Sequence, residues 1–291
     1  MRKLTIIVMS ALMVAACKAP QPVQKDISVQ LYSVRELLGN PDLYAANHES
    51  VLKSLAEMGY TSVEAANYGN GKLYGVAPEQ FKADVEAAGL KVLSSHTTLN
   101  LTQEQLAAKD FSAAMPWWEE CIAAHKAAGM KYIVVPSMRL PDNLADLKVW
   151  CDYFNAVGKL CKENGLLFGY HSHSFEFVKI EDKMAYDFMV ENTNPEYVFF
   201  QMDVYWAVYG RVSPVEYFKK YPGRFKVLHI KDYREVGQSG MVGFDAIFAN
   251  AKLAGTKDIV VEMEGSTYGD ILRTCQESVD YLKALLPNYE Y

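Results

Sequence analysis

Four of the six histidines, His96, His171, His173 and His229, stand at the ends of short apolar runs, and so do five carboxylates: Glu64, Glu176, Asp203, Glu262 and Glu264. Burying so many unpaired charges together is costly, and a divalent cation is the economical way to hold converging carboxylates and imidazoles. Spacing within the runs narrows the ligand set. Residues two apart in a strand share a face. That pairs Gln201 with Asp203 in FFQMDVYW, His229 with Lys231 in VLHIKD, and Glu262 with Glu264 in VVEMEG, where either glutamate can ligate. Such a mixed set suits Mn, Co, Zn or Fe better than Ca. No cysteine stands at a run end, which argues against a thiolate zinc site. His48 and His125 fall on helical stretches, where a solvated face is the simpler reading.

What positions these side chains is a repeat. AEMGYTSVE (56–64), EAAGLKVLS (86–94), KAAGMKYIVV (126–135), KENGLLFGYH (162–171) and KLAGTKDIVVE (252–262) each join a helix end, a glycine and an apolar run. Glycine is the residue that closes a helix at positive φ, and continuous apolar runs are the signature of parallel strands buried on both faces. Eight strands can be read: 27–34, 62–66, 91–96, 132–136, 167–173, 198–204, 225–231 and 259–264, with a last helix over about 270–286. Eight such units predict an α/β chain folded as a single-domain (β/α)8 TIM barrel, whose site lies at the C-terminal ends of the strands. A doubly wound sheet would want a glycine-rich phosphate loop after the first strand, and VQLYSVRELLGN has none. The stretch 97–116 reads as a loop.

The 291 residues carry 29 basic and 35 acidic side chains, a net charge of −6. No basic field steers such a chain to nucleic acid. Residues 1–16 open with Arg2 and Lys3 and continue apolar, short of the roughly 20 residues that span a bilayer. Val14-Ala15-Ala16-Cys17 resembles the lipobox of bacterial lipoproteins, in which the cysteine is lipidated. Residues 1–16 are therefore expected to be a lipoprotein signal peptide, Cys17 the lipidation site, 17–26 a tether and 27–291 the catalytic barrel. The expected location is extracytoplasmic, in the periplasm on an outer-membrane anchor, with no other membrane contact. The remaining Cys121, Cys151, Cys161 and Cys275 read as small buried thiols.

VQLYSVR (29–35), GYHSHSFEF (169–177), MDVYW (202–206), LHIKD (228–232) and VVEME (260–264) resemble the motifs of the xylose-isomerase-like barrels, the sugar phosphate isomerase/epimerase superfamily. The nearest branch carries Tyr-His-Asn-His-x-x-Glu-Phe on strand 5. The resemblance implies one divalent metal, Mn, Co, Zn, Fe or Mg, held by an acid on strand 5, Asp203, His229 and Glu262. Strand 5 departs from the common Glu-Asn-His: it reads His171-Ser172-His173, with Glu176 three residues on. Either Glu176 reaches back to the metal or His171 replaces the acid; Glu176 is preferred here.

The superfamily's reaction type, abstraction of a proton next to a carbonyl, needs a base of suitable pKa. Glu176 and Glu262 are the candidate bases, and His173 and Lys231 the candidate proton donors or enolate-holding groups. Tyr32, Glu64, His96, His171, Trp206 and Glu264 are expected to contact substrate. Some relatives of the branch eliminate the aglycone from 3-keto-glycosides, and an exported protein meets glycosides rather than phosphosugars. A lyase on 3-keto-glycosides is the leading expectation. An isomerase or epimerase of free sugars and a non-catalytic carbohydrate-binding lipoprotein are the alternatives. A DNA-repair role on the same fold would want a basic face. The expected partner is thus a small carbohydrate, with homo-oligomer formation left open.

Overall fold

The computed structural model describes residues 25–290. The signal peptide, Cys17 and most of the tether lie outside the described residues. Among those described, no helix is long and apolar enough to cross a membrane.

Eight parallel strands close into a barrel: β1 (Ser28–Gln30), β2 (Ser62–Ala65), β3 (Lys91–His96), β4 (Tyr132–Val135), β5 (Leu167–His171), β6 (Val198–Asp203), β7 (Val227–Lys231) and β8 (Asp258–Glu262). Each pairs with its sequence neighbours, and β1 pairs with β8. Helices follow the strands, the longest being Leu144–Glu163 and Pro41–Met58, and Ile271–Leu285 ends the barrel. The repeat glycines do what their position requires. Gly59 closes Pro41–Met58 at φ 106°, and Gly255 stands at φ 84° with the Gly223 backbone 2.7 Å from where a Cβ would lie.

Alternation along the strands divides the molecule into two cores. Outward residues such as Val63, Ile133, Phe168, Phe200, Leu228, Ile259 and Val261 pack under the helices. Leu93, Tyr132, Val134, Phe199, Val227 and Val260 form a separate apolar cluster that fills the barrel. Next along the same strand faces come Gln30, Glu64, Gln201 and His229, all fully buried. The barrel thus carries a polar layer on an apolar plug. A bulge between β2 and β3 sits at that layer: Val63 registers with Val92, but Glu64 with Ser94. Bulges re-aim side chains in this way.

Along the chain the structure departs from the sequence reading as follows. The first strand stops at Gln30, whose side chain accepts the Tyr32 amide and turns Leu31–Val34 into a 3-10 helix. The stretch read as a loop contains a helix, Gln103–Ala108, closed by reciprocal hydrogen bonds between Thr102 and Gln105. Two short hairpins, Tyr68–Gly69 with Lys72–Leu73 and Lys179–Ile180 with Lys183–Met184, had no periodicity to reveal them. His125 is not on a solvated face. It is fully buried against Tyr68, with Nδ1 2.7 Å from the Cys121 carbonyl and Nε2 3.2 Å from Thr97 Oγ1, and burial pushes it down to about 4. His48 remains part-exposed beside Asp84. The four described cysteines are buried and free, as expected.

Replacing Gly255 by alanine should cost about 2 kcal/mol, because backbone strain and the Gly223 clash add. Gly165→Ala, also at positive φ but with open space around it, should cost about half as much. Denaturant midpoints of the two variants measure the difference, and equal midpoints would contradict the packing argument.

Candidate active site

Glu64 is the centre of the polar layer. Its Oε1 accepts from Gln30 Nε2 at 2.8 Å and His229 Nε2 at 3.1 Å and lies 3.0 Å from His96 Nε2. Its Oε2 accepts from Ser94 Oγ at 2.6 Å and Gln201 Nε2 at 3.0 Å. Burial opposes the charge, but His96 and His229 outweigh it and hold the carboxyl well below the usual range.

This arrangement sets the tautomer of His229, because a ring nitrogen that donates to a carboxylate fixes the role of the other. Nε2–H goes to Glu64. Nδ1 is left facing Asp203 Oδ2 and Glu262 Oε2, each at 3.6 Å, too long for a hydrogen bond. Asp203 Oδ1 is engaged by the Trp206 amide at 2.8 Å, capping the helix Val204–Tyr209, so only Oδ2 is free. Buried Asp203 Oδ2 and His229 Nδ1 have no hydrogen-bond partner. Two carboxylate oxygens around one imidazole nitrogen need a positive charge between them. A proton can supply it: burial lowers the affinity of His229 for a proton, yet Asp203, Glu64 and Glu262 raise it to about 10. A divalent cation can supply it better, and ligand atoms of Asp203, His229 and Glu262 lie within 4.8 Å of one another. The residues fit a metal of the mixed N/O class.

A second group, His96, His171 and His229, meets the same distance limit. His171 is buried, its ring 4.6 Å from that of His229, and its Nδ1 has no partner. Burial first, and the neighbouring His229, His173 and His96 next, push its pKa well down, so it is neutral and able to ligate. Glu176, preferred from the sequence, is not in either group. Its Oε1 accepts from the Tyr170 hydroxyl at 2.7 Å and its Oε2 from the His173 amide at 2.9 Å, and it is fully buried. Those bonds engage both of its oxygens, whereas His171 of the same segment has its ring beside His229.

A cavity of about 500 Å³ opens beside these groups, lined by Tyr32, His96, His171, His173, Glu262 and Glu264, with Asn67, Thr98 and Ser137 on its other side. His173 is pushed down to about 4 by burial, against the pull of Glu262. Lys231 lies 3.5 Å from Glu262 and 3.1 Å from Glu264, and those carboxylates outweigh its burial and keep it charged. Trp206 is off the cavity wall, 5.8 Å from the His173 ring and from Lys231 Nζ. Glu64, expected to touch substrate, is walled off beneath the histidines. The sequence reading missed Gln30, Ser94, Asn67, Thr98 and Ser137. Period-two spacing from Ser28 to Gln30 was the signal available for the first.

A family model described as the xylose isomerase-like TIM barrel matches residues 52–285. A crystal structure of a sugar phosphate isomerase/epimerase from Parabacteroides distasonis is 33% identical, with a TM-score of 0.80 over 93% of this chain and 96% of that one. Inosose dehydratase from Geobacillus kaustophilus is 25% identical over 203 residues, 64% of this chain and 62% of the dehydratase. The chain thus spans less than two thirds of that curated relative's length. A structure of the IOLI protein with a bound zinc atom shares the fold, with 15% identity and a TM-score of 0.66 over 91% of this chain and 99% of that one.

Glu176 gives the fold a pH dependence of known sign. Burial pushes its carboxyl from 4.5 up to about 7, against the Tyr170 hydroxyl and the His173 amide. Between those values the folded chain holds a proton that the unfolded chain has released. The contribution to stability is complete below 4.5 and is lost as pH rises through 7, by on the order of 3 kcal/mol at most. Glu176→Gln should flatten the fall in denaturant stability between about pH 5 and about pH 8 in chelator. The same slope in both proteins would contradict this.

Proposed function

We propose, for a chain that belongs to the xylose isomerase-like TIM barrel family, a metal-dependent enzyme that takes a proton from the carbon next to a sugar ketone, most simply to eliminate the aglycone of a 3-keto-glycoside. One observation carries this reading: free Asp203 Oδ2 and His229 Nδ1 and the Glu262 carboxylate converge beside a sugar-sized cavity lined by neutral His173, with charged Lys231 paired to the lining carboxylates Glu262 and Glu264. Relatives named inosose dehydratase support elimination chemistry, since a dehydratase eliminates water. The zinc of the IOLI structure supports a metal on this fold.

Asp203, His229 and Glu262, with His171 beside them, would hold the cation, which when bound supplies Lewis-acid stabilisation of a developing enolate oxygen. The remaining steps belong to side chains. Neutral His173, on the cavity wall, takes the C2 proton. The C2 electron pair forms the C1=C2 double bond as the C1–O bond breaks, and the leaving oxygen takes a proton. Lys231, kept charged by Glu262 and Glu264, would place positive charge behind the enolate and serve as the acid. Tyr32 offers a face to the sugar, and Asn67, Thr98 and Ser137 offer hydrogen bonds to its hydroxyls. Glu176 holds the His173 backbone and does not meet the substrate.

The name of the Parabacteroides structure favours a second reading, isomerisation or epimerisation at the same site. The working place we propose is extracytoplasmic, resting on the Cys17 motif alone.

A 3-keto-glucoside with a chromophoric aglycone should release it only when metal is present, and EDTA should stop the release. His173→Ala should lower the rate about 100-fold or more. Metal-loaded protein that releases nothing but interconverts free keto-sugars would replace elimination by the second reading.

A further inference from the structure

The loops after β3 and β4 line two cavities in succession. Thr98 and Ser137 stand on the wall of the sugar-sized cavity. Asn100 and Arg139, two residues further along each loop, stand on the wall of a second cavity of about 360 Å³. Leu99 and Met138, the residues between, pack against the core, and the Leu99 carbonyl accepts from the Tyr153 hydroxyl at 2.9 Å. Two residues of chain span at most about 7 Å, close to the length of one sugar ring with its linking oxygen. At the junction Thr98 Oγ1 is buried without a partner, and such atoms call for a ligand.

The second cavity combines an apolar base with unused polar groups. Leu101 and Trp150 are buried, and Leu106, Leu140 and Pro141 are half-buried around them. The buried Trp150 indole N–H has no partner. Asn143 spends its side chain on Asp146, capping Leu144–Glu163. The side chains of Asn100, Gln103 and Arg139 make no hydrogen bond or ion pair among the described residues. Apolar surface with a few convergent polar groups is the make-up of a small-molecule site, and here it suits a ring carrying hydroxyls. Arg139 is the one cation of the wall against the acids Asp142 and Asp146, so nothing selects an anion. One side is formed by the helix Gln103–Ala108, which has no fully buried residue. So short a helix is marginal by itself. The reciprocal Thr102 and Gln105 bonds hold it in place of burial.

We propose that this second cavity is a subsite for a hydroxylated ring linked to the sugar, a phenol or a second sugar, and that Asn100, Gln103 and Arg139 hold its hydroxyls. The proposal rests on the reading of the first cavity as a sugar site and not on the reaction performed there. It sets the side on which the linked ring lies: past Thr98 and Ser137, between the loops after β3 and β4.

Ligand-observed NMR titrations of the metal-loaded full chain test it without turnover, using glucosides that lack the ketone: methyl glucoside, 4-hydroxyphenyl glucoside and cellobiose. At least one of the two-ring ligands should bind about 10-fold or more tightly than methyl glucoside. A gain from the phenol alone, or from the second sugar alone, identifies the ring that the cavity takes. Asn100→Trp puts bulk at an exposed position of the second cavity and should erase the gain, with the methyl glucoside affinity unchanged. Arg139→Ala, also at an exposed position, should reduce the gain several-fold. A methyl glucoside that binds with no gain from either second ring would overturn the proposal and leave the sugar site standing. A gain that survives both substitutions would overturn it in the same way. No binding of any of the three ligands would overturn the sugar site and the subsite together.

Discussion

A carboxylate sealed inside a barrel is the constraint from which the rest follows. Glu64 has no exposure, and an ion moved there from water pays a penalty of several kcal/mol unless its lone pairs are met. Five side chains from four other strands meet them: Gln30, Ser94, His96, Gln201 and His229. The strand registers make this convergence possible. Gln30 lies opposite Glu64, and the bulge sets Ser94 opposite it on the other side. The apolar plug of Phe199, Val260 and their neighbours supports the layer from below. With Glu64 fixed, His229 can present only Nδ1 to Asp203 and Glu262, and the electropositive demand at that point is built into the fold.

Within the polar layer, satisfied and unsatisfied atoms separate the frame from the groups left for chemistry. Below the histidines every lone pair of Glu64 is used. Beside the cavity, by contrast, Asp203 Oδ2, His229 Nδ1, His171 Nδ1 and His173 Nδ1 are buried without partners. Such atoms are rare in folded proteins and call for a ligand. The same division explains why neighbouring acids differ in role: Glu262 faces the cavity, while Glu176 is spent on Tyr170 and the His173 amide.

Barrel architecture was legible in the sequence because glycine at a helix end and an apolar run after it recur, and both have simple physical causes. The ends of the runs pointed to Asp203, His229 and Glu262 for the same reason, with Glu176 preferred over His171 for strand 5. Local pattern does not encode where a carboxylate's two oxygens turn, so the sequence could not show that the Tyr170 hydroxyl and the His173 amide engage both oxygens of Glu176. Glu64 was placed correctly at a strand end but given contact with substrate, since the burial of its carboxylate depends on residues up to 165 positions away. His125 looked like a surface helix residue because its partner Thr97 lies beyond the helix.

The most direct test of this account is the metal affinity of Glu64→Gln, measured by competition with a chelator and elemental analysis beside the unaltered protein. The substitution keeps size and removes the charge that orients His229 without replacing any proposed ligand. Affinity should fall about 10- to 100-fold with the fold retained. Unchanged affinity in a folded Glu64→Gln protein would show that His229 is poised without Glu64, and the central claim would fail.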